Sequence, residues 1–132
     1  MAIDQAREFI RTNHRGVLAT RRQNGGVSMV PVLATIDDNG DVLISTWETS
    51  AKIKHLRRDP YAYLLAFQDQ FFGANVQVEG SVTIETLPEA MEGLVRYYRL
   101  AAGEHPNWDE YREAMRREQR VLLRIKIDRA RV

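Results

Sequence analysis

Two short segments with the composition of tight turns constrain the fold more than any other feature of the sequence. Gln23–Gly26 reads Gln-Asn-Gly-Gly, and Asp37–Gly40 reads Asp-Asp-Asn-Gly. The Asn-Gly pair tolerates the positive φ angles that hairpin turns demand. The apolar segments beside these turns, residues 16–20, 27–36 and 41–46, are therefore predicted to form three consecutive antiparallel strands.

The rest of the chain is predicted to mix helices with three more strands. Strand patterns occupy residues 61–67, 75–84 and 121–127. Helical spacing and end signals favour helices over residues 4–13, 49–58, 88–102 and 108–117. We therefore expect an α+β, mainly antiparallel fold in which six short strands form a small barrel with peripheral helices. Because side chains fill so small a barrel, a ligand must lie on its outside or at a subunit interface.

The composition excludes several classes of protein. The 132 residues include 19 Lys and Arg against 18 Asp and Glu, a balance unlike that of most nucleic-acid-binding domains. No apolar run approaches the roughly 18 residues that suggest a membrane span, and no signal-peptide pattern opens the chain. The chain has no cysteine, and its three histidines lack metal-ligand spacing. We expect one cytoplasmic domain over residues 1–132, with no metal and with neither nucleic acid nor membrane as a partner.

One local segment combines groups that suit a phosphate. The third strand ends at Ser45-Thr46, and the following helix is predicted to begin after Ser50, with Lys52 in its first turn. Free backbone N–H groups, the Ser50 hydroxyl and the Lys52 ammonium would then surround one point. An ordinary capped helix would have the same residues, so this pattern alone leaves both interpretations open.

The same helix has a basic face. Lys54, Arg57 and Arg58 lie close together on a helical wheel, opposite Ile53 and Leu56. These cations would either bind an anionic tail or face water.

Several motifs follow one another in a fixed order along the chain. The first set comprises Ser45-Thr46, Ser50-Ala51-Lys52, Leu56-Arg57-Arg58-Asp59-Pro60 and Asn75-Val76-Gln77-Val78-Glu79-Gly80. This series resembles the flavin-binding split β-barrel family typified by pyridoxamine 5'-phosphate oxidase. The second set comprises Tyr98-Arg99, Ala102-Gly103-Glu104-His105, Trp108-Asp109-Glu110-Tyr111-Arg112, Ala114-Met115 and Arg120-Val121-Leu122-Leu123. It resembles the actinobacterial branch that uses the deazaflavin coenzyme F420.

The sequence also departs from the oxidase pattern. In the pyridoxamine phosphate oxidases, the strand matching residues 27–32 begins with Arg and ends with Lys, and Arg occupies the place of Ala51. This chain has Val27, Val32 and Ala51 at those positions. The resemblance therefore does not imply oxidation of vitamin B6.

The resemblance implies a set of coenzyme contacts. Ser50, Lys52 and the backbone of Ala51 would hold the phosphate, and Ser45 and Thr46 would contact the ribityl chain or the ring edge. The resemblance also places Met29, Val30, Pro31 and Val32 along the ring, although plain strand packing would also explain them. It places Lys54, His55 and Arg57 at the oligoglutamate tail, where the alternative is a solvated surface. A partner subunit would contribute Asn75 and Gln77, which could also be ordinary polar strand residues. Since Pro31 removes a ladder donor in mid-strand, it should lie at an edge, a bulge or a ligand.

The function implied by the resemblance is that of an F420-dependent oxidoreductase. The reduced coenzyme would deliver hydride to an electron-poor small-molecule acceptor, and the protein would supply binding, orientation and exclusion of water. The alternatives are an FMN-binding oxidoreductase of the same fold and a non-enzymatic F420 carrier. The proton that completes the reduction would come either from solvent or from a nearby Tyr. The apolar segments Tyr61–Phe67 and Phe71-Phe72 favour a homodimer with the coenzyme between subunits.

Overall fold

The computed structural model describes residues 1–70 and 72–132, which form four helices and seven strands. In chain order these are α1 (Ala2–Thr12), β1 (Arg15–Arg21), β2 (Val27–Leu33), β3 (Thr35–Ile36), β4 (Val42–Trp47), α2 (Ala51–Arg58), β5 (Tyr61–Phe67), β6 (Asn75–Glu85), α3 (Met91–Ala102), α4 (Trp108–Arg117) and β7 (Arg120–Arg131). No helix in these two ranges is both long and apolar enough to cross a membrane.

All seven strands belong to one antiparallel sheet with the order β2-β1-β5-β6-β7-β4-β3. β2 and β3 lie at opposite ends of this order, although only Ala34 separates them in the chain. The sheet must therefore curl until its two ends meet, which produces a half-open barrel. The predicted fold class, an α+β, mainly antiparallel barrel with peripheral helices, is confirmed apart from the number of strands.

The prediction of six strands is wrong, because the predicted strand 27–36 is two strands. Its first part pairs with β1, and its last two residues pair with β4. The break occurs at Ala34, whose N–H donates to the carbonyl oxygen of His14 over 2.8 Å, while its own carbonyl lies 2.9 Å from His14 Nδ1. The apolar pattern runs through this corner without interruption, so the sequence alone does not reveal it.

Apolar side chains fill the barrel, and a second apolar layer covers part of its outside. The interior combines strand residues with Ala6 and Ile10 of α1 and with Ile53 and Leu56 of α2. On the outside, α3 and α4 pack over Leu43 of β4 and Leu122 of β7. This second layer places the α3–α4 pair beside the corner at which the ends of the sheet meet.

One apolar pair of the sequence analysis is only partly described. Phe72 is 95% exposed, and Phe71 lies outside the described residues.

Candidate functional site

A cleft of about 450 Å³ opens where the two ends of the sheet approach each other. One wall comes from β2, the opposite wall from β4 and the start of α2, and the floor from the α3–α4 pair and the turn before β7. The lining residues are Pro31, Val32, Leu33, Ser45, Thr46, Trp47, Lys52, Tyr97, Tyr98, Tyr111, Met115, Glu118 and Arg120. The split of the barrel therefore contains a cleft that is both aromatic and cationic.

The ammonium of Lys52 is held at one end of this cleft by two hydroxyl groups. Lys52 Nζ donates to Thr46 Oγ1 over 2.8 Å and to Ser50 Oγ over 2.9 Å. Ser50 is also the N-cap of α2, where its Oγ accepts from the backbone N–H of Lys52 over 3.3 Å. The tight connection between β4 and α2 thus brings three of the predicted phosphate-binding groups together.

The surroundings of Lys52 favour an anion. Its side chain forms no ion pair with a carboxylate within residues 1–70 and 72–132, and the first turn of α2 has no acidic residue. Burial lowers the pKa of Lys52, and the nearby positive charge of Arg120 lowers it further. A partly desolvated cation with only neutral partners is stabilised when an anion binds beside it. The residues present therefore fit the phosphate of a flavin-type coenzyme.

Arg120 forms the side of the cleft nearest to Trp47. Its guanidinium carbon lies 4.1 Å from the centre of the Trp47 ring, a cation–π distance. Its Nε donates to Glu118 Oε1 over 2.9 Å. Because Glu118 offsets the charge of Arg120, Lys52 is the cation in the described lining that lacks an acidic partner.

The main chain of β2 also contributes to the cleft. The bonds from Ala34 N to His14 O and from Arg22 N to Gly26 O show that the even-numbered residues of β2 face β1. The odd-numbered residues therefore direct their N–H and C=O groups away from the sheet, towards the split. Pro31 occupies such a position on an edge strand, as its missing N–H predicts, and costs the ladder no hydrogen bond.

The side chains of β2 alternate between two environments. Met29 and Pro31 are exposed, whereas Val30 and Val32 pack against the barrel core. Pro31 and Val32 also line the cleft. The four residues predicted to lie along a coenzyme ring thus follow one edge of the split, but only two of them line the cleft itself.

Two of the three residues of α2 that were predicted to bind the tail contact other side chains of the protein. His55 Nδ1 lies 3.0 Å from Thr20 Oγ1 of β1, and Arg57 forms an ion pair with Glu48. Lys54 is exposed and has no ion pair in the part of the chain described here. The structure therefore separates these three residues, and Lys54 alone is available to an anionic tail without breaking a contact.

Asn75 and Gln77 lie away from Lys52 within the single chain. Both line a separate cleft near the start of β6, where Asn75 Oδ1 accepts from Arg131 over 2.8 Å. Their contribution to a partner's site stays a prediction.

Sequence reasoning did not identify the aromatic floor or Arg120 as parts of the site. Tyr97 donates its hydroxyl hydrogen to the carbonyl oxygen of Leu33 over 2.9 Å and so bridges α3 and β2. Tyr111 donates to the carbonyl oxygen of Leu94 over 2.8 Å. Burial raises the pKa of Tyr97, and it raises the pKa of Tyr111 to about 12. Both phenols are therefore neutral near pH 7 and serve to hold the cleft together.

The half-open antiparallel barrel with a cationic cleft at its split defines the class of flavin-type split barrels. The family model described as pyridoxamine 5'-phosphate oxidase matches residues 2–132, and the chain belongs to this family.

Three solved structures illustrate the range of the fold. A conserved hypothetical protein from Mycobacterium tuberculosis is 24% identical, with a TM-score of 0.78, over 99% of this chain and 83% of that chain. An F420 reductase is 15% identical, with a TM-score of 0.71, over 94% of each chain. A heme-binding protein from Mycobacterium smegmatis is 16% identical, with a TM-score of 0.74, over 99% of this chain and 53% of that chain. At these identities the likeness is one of fold.

Proposed function

We propose that this protein is a coenzyme F420-dependent oxidoreductase that reduces an electron-poor small molecule. The observation that carries the proposal is Lys52, a partly buried cation held by Thr46 and Ser50 that forms no ion pair with a carboxylate among the described residues. Family membership supports a flavin-type coenzyme, and an F420 reductase has the same fold.

The chain's own residues would bind and orient such a coenzyme. Lys52, Ser50 and the backbone N–H groups at the start of α2 would hold its phosphate. Ser45 and Thr46 would lie beside the ribityl chain, and the outward main-chain groups of β2 would face the ring. The coenzyme would supply a hydride when bound, and Trp47, Tyr97 and Met115, which line the cleft, would limit the access of water to it.

The charge of the cleft favours F420 over FMN. The phosphate monoester of FMN carries a charge of about −1.5 to −2 near pH 7, as other phosphate monoesters do, whereas the diester of F420 carries a single charge. Lys52 is one unneutralised cation, Glu118 offsets Arg120, and Ala51 offers no side-chain charge. A site with one net positive charge matches the diester better.

The tail of F420 would run over the surface of α2. Lys54 is exposed there and has no ion pair in the described residues. His55 and Arg57 would have to release Thr20 and Glu48 before meeting the tail. A longer glutamate tail should therefore bind better at low ionic strength, with an advantage that fades as salt screens Lys54.

A homodimer with the coenzyme between subunits is part of this proposal. The outer face of β2, β1 and β5 is apolar, since Val17 lies opposite both Pro31 and Leu65 in the register. On the same strands, Met29 is 69% and Leu33 is 53% exposed. Such a face suits a second copy of the chain, which would also bring a partner's Asn75 and Gln77 within reach. Light scattering should report a dimer at micromolar concentration, and a strict monomer that binds coenzyme would contradict this.

The decisive experiment is a titration of the purified protein with F420 and with FMN, followed by an assay of turnover. We expect F420 to bind at least about tenfold more tightly than FMN, as expected from one phosphate–cation contact. We also expect reduced F420 to be oxidised when menadione, an electron-poor quinone, is added. Tighter binding of FMN would identify a flavin enzyme instead. Tight F420 binding without turnover of menadione or other quinones and enones would identify a carrier.

A further inference from the structure

Three tyrosines line the cleft, and their hydroxyl groups differ in one respect. Tyr97 donates to Leu33 and Tyr111 donates to Leu94, so both hydroxyl hydrogens are used within the fold. The hydroxyl of Tyr98 has no hydrogen-bond partner in residues 1–70 and 72–132. Tyr98 is half-buried and lines the same cleft as Lys52. Tyr98 is therefore the tyrosine of this lining whose hydroxyl has no partner among the described residues.

The ring of Tyr98 is held firmly although its hydroxyl is free. Its centre lies 5.1 Å from the rings of His105 and Tyr111 and 5.8 Å from the ring of Trp108, all in edge-to-face arrangements. Tyr111 and Trp108 also contact each other at 5.5 Å. Such aromatic contacts restrict the position of the ring and so fix where the hydroxyl lies. A ring that is fixed by its contacts and whose hydroxyl has no hydrogen-bond partner in the fold is suited to binding a ligand.

We propose that Tyr98 is a catalytic residue that donates a hydrogen bond, and then its proton, to the carbonyl oxygen of the acceptor. This inference rests on the proposed function. The coenzyme would supply a hydride that forms a C–H bond at the electron-poor carbon, and the displaced π electrons would move onto the carbonyl oxygen. The O–H bond of Tyr98 breaks as its proton passes to that oxygen, and water returns a proton to the phenolate. The acceptor gains two electrons, and the coenzyme loses two.

Tyr98→Phe should bind the acceptor more weakly than the wild-type protein even when no coenzyme is present. Phe keeps the ring contacts and removes only the hydroxyl. Menadione should quench the tryptophan fluorescence of the protein, because Trp47 lines the cleft and Trp108 contacts Tyr98. In the coenzyme-free protein, Tyr98→Phe should weaken menadione binding by about 3- to 10-fold, as expected for one hydrogen bond. Tyr61→Phe is the matched control, because the Tyr61 hydroxyl donates to Glu79 outside the cleft.

Turnover supplies the second readout. Tyr98→Phe should lower kcat with menadione by about 100-fold, the lower end for general acid catalysis, while F420 affinity stays within twofold of wild type. The solvent deuterium isotope effect on kcat should differ between the wild-type protein and the variant, which a purely packing role would not produce. Wild-type menadione affinity and kcat in Tyr98→Phe would overturn the proposal. A wild-type protein that binds no F420 would instead refute the proposed function, and the coenzyme-free titration would still test Tyr98.

Discussion

Replacing Lys52 with Met separates binding of an anion from stability of the fold. Met keeps an unbranched side chain of similar length and removes the ammonium that contacts Thr46 and Ser50 at 2.8 and 2.9 Å. A hydrogen bond that involves a charged group is worth about 1.5–3 kcal/mol. We therefore expect Lys52→Met to weaken F420 binding by about 10- to 150-fold.

The free energy of unfolding should change much less. The variant loses two hydrogen bonds to neutral hydroxyls but no longer buries a charge close to Arg120. Since these two effects oppose each other, we expect a net change within about 1 kcal/mol. Burial lowers the pKa of Lys52 from 10.5, so the unfolded chain binds the proton more tightly than the folded protein. The wild type should gain stability relative to the variant as the pH rises towards 10.5.

Calorimetric titration with F420 and urea denaturation of the coenzyme-free protein measure the two quantities. Lys126→Met is the matched control, because Lys126 is exposed on β7 and outside the cleft. It should leave both affinity and stability close to the wild-type values. Wild-type affinity in Lys52→Met would show that the phosphate lies elsewhere, and the argument from the unpaired cation would fail.

Two further predictions concern the fold that supports the cleft. A methyl group at Gly80, where the β6–β7 register shifts, would lie 1.8 Å from the carbonyl oxygen of Lys126. Gly80→Ala should therefore cost about 3 kcal/mol or more in urea denaturation, whereas a loss below about 1 kcal/mol, similar to that of the exposed control Ser81→Ala, would contradict the clash. Burial raises the pKa of Tyr111 from 10.0 to about 12, so the unfolded chain releases this proton first and stability should fall between those pH values. Tyr111→Phe should reduce that slope, and an unchanged slope would show that Tyr111 is not its cause.

The turns and most element boundaries could be predicted because their signals are local. Gly25 and Gly40 have φ angles of 87° and 82°, as expected for the two predicted hairpin turns. The break at Ala34 could not be predicted, since both of its sides are apolar strand residues. It arises because β2 and β3 pair with different ends of the sheet, which is a property of the whole barrel.

The candidate site likewise contains residues that local sequence signals could predict and one that only the complete sheet brings into place. Thr46, Ser50 and Lys52 lie within seven residues of one another, so the end of a strand and the first turn of a helix suffice to bring them together. Arg120 joins them only because β7 pairs with β4 in a register that sets Trp47 opposite Arg120. That register depends on the full sheet, and no spacing in the sequence encodes it.

The curl of the sheet explains why the candidate binding residues lie together near the corner at Ala34. A closed barrel would pair the outer edge of β2 with the part of β4 that β3 leaves unpaired, and no room would remain between them. Here the α3–α4 pair packs on Leu43 and Leu122, and Tyr97 bonds to Leu33. The helices thus hold the two edges apart and supply the aromatic floor. Outward main-chain groups of β2, the unpaired cation of Lys52 and the ring of Tyr98 then line one cleft, although they come from three separate elements.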